Sequence, residues 1–139
     1  MGSDESDRPR RPGTVLGGAI MTYVGSAFGV FVGLANVVTS AELAESLRTD
    51  PRALVAWGVG IAVASVAASV LAIFALRGSN GARAALTVVG GIYVLWALYS
   101  LVRDHNVLGV AAVAWIAAAV ALFWVGNAGA WYRAHRPVR

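Results

Sequence analysis

Four long runs of apolar residues, none containing a charged side chain, alternate with short polar segments along the chain: 14–38, 53–76, 84–102 and 107–125. The first run holds 25 residues. As a helix it is about 37 Å long, enough to cross a hydrocarbon layer of about 30 Å with some tilt. The third and fourth, at 19 residues each, are just long enough. Two of the links are very short, 77–83 and 103–106, so the helices they join must run antiparallel as neighbours. The pattern predicts an all-α, membrane-embedded, antiparallel four-helix bundle with short loops, occupying residues 14–132. It leaves 1–13 as a disordered cytoplasmic tail and 133–139 as a basic one.

The polar segments carry helix punctuation. Pro12 suits a first turn, where its missing N–H has no intrahelical partner. In the longest link, 39–52, Thr39 and Glu42 have the spacing of a capping box, and Glu45 and Arg48 the spacing of an ion pair. Leu43 and Leu47 give that stretch one apolar edge, as expected of a short helix lying at the headgroups. Asp50-Pro51 reads as an N-cap followed by a first-turn proline. Residues 77–83, Arg-Gly-Ser-Asn-Gly-Ala-Arg, read as a tight hairpin, and Asn106 as the N-cap of the fourth run. At the end of that run the chain is expected to leave the membrane through Gly126, Asn127 and Gly129, with Trp131 and Tyr132 at the interface.

Small residues recur at helical spacing inside the runs. Gly25, Gly29 and Gly33 form one stripe on the first, and Gly60, Ala64, Ala68 and Ala72 another on the second. Lipid supplies little hydrophobic drive for helix association, so close backbone approach and dispersion contacts must replace it. Gly25, Gly29, Gly33, Gly60, Ala64 and Ala68 are therefore the expected helix-packing residues. Packing within the chain is the first reading of these stripes, and an interface with a second copy or another membrane protein is the alternative.

Composition agrees with lipid as the solvent: 58% of the 139 residues are hydrophobic and 13% charged, against about 25% charged in a water-soluble domain. The net charge of +4 would suggest nucleic-acid binding in a soluble protein. All eleven basic residues are arginine and lie outside the apolar runs. The Trp and Tyr side chains that would stack on bases mostly lie inside them, so nucleic acid is excluded as a partner and the bilayer takes its place. With a cytoplasmic N-terminus, eight arginines collect on the inner side (Arg8, Arg10, Arg11, Arg77, Arg83, Arg133, Arg136, Arg139) against Arg48, Arg52 and Arg103 outside. That asymmetry predicts a multi-pass protein of a bacterial cytoplasmic membrane with both termini in the cytosol. The first run is too long for the apolar core of a signal peptide, about 7–15 residues.

Candidate chemistry is sparse. There is no cysteine, hence no thiolate nucleophile and no Cys-based metal site. None of the four runs contains an ionisable Asp, Glu, Lys, Arg or His, so proton coupling and voltage sensing have no carrier. Asp104, His105, Glu42, Glu45 and Asp50 are all expected at the outer surface, but capping and pairing account for three of them. No catalytic, cofactor-binding or metal-binding residue is assigned, and no cofactor is expected.

Three short motifs bracket the runs: Arg11-Pro12-Gly13-Thr14-Val15, Ala82-Arg83-Ala84-Ala85-Leu86-Thr87-Val88, and Asn127-Ala128-Gly129-Ala130-Trp131-Tyr132. In these the chain resembles an uncharacterised family of small actinobacterial four-helix integral membrane proteins. The resemblance implies a four-span fold and brings no activity with it. The expected function is that of a non-catalytic structural or accessory subunit that packs through small-residue helix faces, with a homo-oligomer or another membrane protein as partner. The alternative is an oligomeric channel or carrier for an uncharged solute or lipid, with a path lined by Thr22, Asn36, Ser65 and Ser69.

Overall fold

The computed structural model describes residues 10–104 and 107–134. Most of the expected N-terminal tail, the basic residues beyond Ala134, His105 and the Asn106 cap lie outside the described residues. Within them the chain is helical throughout, with no strand: α1 (Gly13–Val38), α2 (Ser40–Leu47), α3 (Pro51–Leu76), α4 (Asn80–Asp104), α5 (Val107–Leu122) and α6 (Ala128–Ala134). Three stretches, Gly13–Val38, Pro51–Leu76 and Asn80–Tyr99, are long and apolar enough to cross a membrane. Helix α1 lies most extensively along α3 and also meets α5; α4 lies against both α3 and α5.

The small-residue stripes sort into two environments. A β-carbon built at Gly33 would meet the backbone of Gly58 and Ala62, one at Gly29 would meet Ser65, and one at Gly25 would meet Trp115 on α5. Gly60 has nothing within 4 Å. Ala64 is exposed, and Ala68 packs against the buried core. On α3 the glycine facing α1 is therefore Gly58, two residues before Gly60. That displacement is about 200° around a helix, enough to carry Gly60 to the far side.

Several local expectations change in detail. Thr39 does not close a capping box: its hydroxyl donates to the Ala35 carbonyl of α1 at 2.9 Å. Its near-helical backbone (φ −95°, ψ 10°) lets α2 follow α1 after a single residue, with Leu43 N–H bonded to the Thr39 carbonyl at 2.9 Å. Arg48, at φ 52°, ends α2 in a left-handed turn. Asp50 caps α3 as expected, accepting from Arg52 N–H at 2.9 Å ahead of Pro51 at the first position.

The hairpin between α3 and α4 is tighter than 77–83. Gly78 sits at φ 89°, its N–H bonds to the Ala75 carbonyl at 3.0 Å, and Ser79 N–H reaches the Phe74 carbonyl at 3.1 Å. This nested pair of bonds requires a left-handed residue after the helix, which glycine adopts without a steric penalty. Ser79 then caps α4 through Ala82 N–H at 3.2 Å, so the helix begins at Asn80, four residues earlier than the apolar run. Arg83 is consequently a helical residue and not part of a loop.

The fourth run differs most. Helix α5 ends at Leu122, and its 16 residues measure about 24 Å. Gly126, at φ 67°, turns the chain through 123–127, and α6 folds back over the end of the molecule where α1 and α4 begin and α3 stops. Trp131 and Tyr132 are buried there beside Val15, Ala19, Ala72, Ala75, Ala82, Leu86 and Phe123. They do not lie at an interface as expected. The helices carry several alanines at this end, and the two large rings pack against them.

Candidate functional site

The capped end holds a polar site that centres on Arg83. Along α4, Ala82, Arg83, Leu86, Gly90 and Ala97 are buried, which places Arg83 on the inward stripe. Its side chain is 6% exposed. The guanidinium carbon lies 3.6 Å from the centre of the Trp124 ring and 4.9 Å from that of Tyr132. Stacking of this kind offsets part of the cost of withdrawing the cation from water, about 2 kcal/mol or more per desolvated contact.

Trp124 is held in place by a two-step relay. Its indole N–H donates to the Thr87 hydroxyl at 2.8 Å, and that hydroxyl donates to the Arg83 carbonyl at 2.9 Å. The ring over Arg83 is thus tied to the backbone of Arg83 itself. Tyr132 is fixed from the other side by its burial, 1% exposed, and by an edge-on contact with Trp131 at 4.9 Å.

Asn80, Arg83, Trp124, Gly129, Tyr132 and Arg133 line a half-open cleft of about 420 Å³. Asn80 Oδ1 accepts from Arg83 Nη1 at 3.5 Å, at the outer limit of a hydrogen bond. The Arg83 Nε and the Tyr132 hydroxyl are both buried and without a hydrogen-bond partner. The lining presents cations and donors and contains no carboxylate, nucleophile–base pair or metal-ligand set. Among the described residues no three His, Cys, Asp or Glu side chains gather anywhere.

Burial pushes the Tyr132 phenol above its ordinary value of 10.0, opposed by the nearby positive charges of Arg83 and Arg11. A folded-state value raised above the unfolded one means that this group's stabilising contribution is intact below about pH 10 and is lost as pH rises through the folded value. Phenolate absorbance followed against pH should therefore include a phase later than free tyrosine that Tyr132→Phe removes.

None of the six residues expected from the sequence to mediate helix packing belongs to this cleft. Arg83 had been placed in a loop and Tyr132 at the membrane surface. One signal was present: Arg83 stands seven residues before Gly90, two turns along the same face as a glycine. That face is visible only once α4 is extended back through Ser79. Of the side chains expected to line a solute path, the Thr22 hydroxyl donates to the Gly18 carbonyl at 2.8 Å and the Ser65 hydroxyl to the Ile61 carbonyl at 2.8 Å, each retaining its acceptor capacity. In comparison with known proteins, no family model, curated protein or solved structure matches the chain.

Proposed function

We propose that the chain is a multi-pass integral protein of a bacterial cytoplasmic membrane, without catalytic activity, in which α1, α3, α4 and α5 make up a four-helix bundle that serves as a structural or accessory subunit. The observation that carries this reading is where the large apolar side chains point. Leu16, Ile20, Val24, Phe28 and Phe31 on α1, Val59, Val63, Val66 and Val70 on α3, and Val88, Ile92 and Leu95 on α4 all face outward. Continuous apolar faces of this extent match lipid and are disfavoured in water. Helix α5, at about 24 Å, joins the bundle where the bilayer thins locally or its flanking residues reach outward. The capped end takes the cytosolic side under the arginine asymmetry of eight against three. The family resemblance implies an actinobacterial source.

Within the chain, Gly25, Gly29 and Gly33 already face α3 and α5. Contact with another chain then falls to the outward small-residue strip of α3, Ala56, Gly60 and Ala64, all exposed. Native mass spectrometry of the protein released from gentle detergent tests the subunit reading. The expected result is an oligomer, or a stoichiometric complex with one other membrane protein, that dissociates in Gly60→Leu while the melting temperature of the single chain stays unchanged. A wild-type protein that is monomeric in detergent and in nanodiscs, with no co-purifying chain, would rule it out.

A further inference from the structure

The two unpartnered groups of the capped end belong to residues that line one cleft. A guanidinium is a flat cation whose faces stack on aromatic rings while its N–H groups lie in the plane. Trp124 and Tyr132 pack against the guanidinium of Arg83, and its in-plane N–H groups carry its remaining binding capacity. There, among the described residues, Nη1 meets Asn80 at 3.5 Å and Nε has no hydrogen bond. The Tyr132 hydroxyl, buried beside it, is also without a partner. Buried polar groups in folded proteins are almost always satisfied, and a desolvated cation most of all, so two exceptions on residues that line one cleft point to a ligand.

We infer that this cleft binds a phosphate group. Arg83 supplies an in-plane fork of N–H donors, the Tyr132 hydroxyl is a buried donor behind the lining, and Arg133 adds a second positive charge at the rim. Two converging cations and a hydroxyl fit a tetrahedral oxyanion carrying one or two negative charges, and planar N–H forks are suited to two of its oxygens at once. The cleft of about 420 Å³ is half open, which admits a phosphate bearing a substituent. Its position suits either of two sources. The cleft opens at the end where three apolar helices begin or stop, the level of phospholipid headgroups under the membrane reading, and it also faces the aqueous side, where free phosphate or a phosphomonoester would arrive. Trp124, 51% exposed, stands at the mouth. This inference does not depend on whether the protein assembles with other chains.

The test uses the full chain in an uncharged detergent. Inorganic phosphate is titrated by calorimetry against chloride at matched ionic strength, and native mass spectrometry compares bound phosphatidylglycerol with phosphatidylcholine. Saturable phosphate binding in detergent, or retention of phosphatidylglycerol over phosphatidylcholine, supports the site. The first result assigns a soluble source and the second alone a lipid headgroup. Arg83→Lys keeps the charge and loses the fork, and should weaken binding at least about tenfold. Tyr132→Phe keeps the ring stack and should weaken binding about fivefold, with no loss of melting temperature when phosphate is absent. That pairing separates a ligand-binding hydroxyl from a structural one. Phosphate no better bound than chloride together with no lipid preference, or unchanged binding in both variants, would overturn the inference. So would binding that emerges only after Asp4, Glu5 and Asp7 are neutralised to Asn, Gln and Asn, which would assign the cleft to the chain's own carboxylates.

Discussion

Replacing Gly33 with leucine is expected to part α1 from α3 and to lower the melting temperature of the detergent-solubilised protein more than any other glycine substitution on α1. A β-carbon at Gly33 would stand 2.5 Å from the Gly58 carbonyl oxygen, 2.9 Å from the Ala62 amide nitrogen and 3.0 Å from the Ala62 β-carbon. Two of these are backbone atoms of a helix and cannot rotate away, so the helices must separate. Even Gly33→Ala should cost about 1–3 kcal/mol, the usual range for overpacking, and the longer side chain more. Gly29 makes an instructive neighbour. Its nearest obstacle is the Ser65 hydroxyl, which can turn, so Gly29→Ala should be milder, although Gly29→Leu still exceeds the space. At Gly60, with nothing within 4 Å, alanine should be neutral or stabilising by up to about 1 kcal/mol through helix propensity. Equal melting temperatures for Gly33→Ala and Gly60→Ala would contradict the observed α1–α3 contact.

Truncating Phe123 should unseat the cap. The side chain is 1% exposed, and its ring lies so close to α1 that a β-carbon on Gly18 would meet it at 3.0 Å. Phe123→Ala leaves a void bordered by α1, α5 and the core residues under α6. A loss of about 2–3 kcal/mol is expected, below the roughly 3–5 kcal/mol of a water-soluble core, because under the proposed membrane reading the ring's alternative surroundings in the unfolded state are lipid and not water. Phe28→Ala is the control. Phe28 is 67% exposed on the outward face, where lipid or detergent replaces whatever the ring touched, so little change is expected. A Phe28→Ala variant as destabilised as Phe123→Ala would mean that the cap contributes nothing special. Fluorescence of Trp124, one residue beyond Phe123, should change in Phe123→Ala and not in Phe28→Ala.

Much of the architecture could be read from the order of residues. Long uncharged runs, Asp50-Pro51 before α3 and Gly78 after it each act within one turn of the chain, where backbone hydrogen bonding and steric preference are local. The glycine stripe on α1 was legible for the same reason: Gly25, Gly29 and Gly33 repeat at helical spacing whatever lies opposite. Its counterpart on α3 was not. Gly58 and Gly60 are both small, and choosing between them requires the rotation of α3 against α1, which neither sequence contains on its own.

The candidate site was illegible for a related reason. Arg83, Trp124 and Tyr132 lie far apart along the chain, and each has an ordinary local explanation: a loop charge, a residue of the fourth apolar run and an interfacial aromatic. By itself the sequence determined that the chain is helical, that its long segments suit lipid, and where most helices start, because those outcomes follow from periodicity and from capping within a few residues. Only the tertiary structure decided that α5 stops at Leu122, that α6 folds back with Trp131 and Tyr132 inside, and that Arg83 is buried against two aromatic rings. Those outcomes depend on how the alanine-bearing helix ends pack against the large rings. Such packing belongs to the assembled helices and to no segment of the chain.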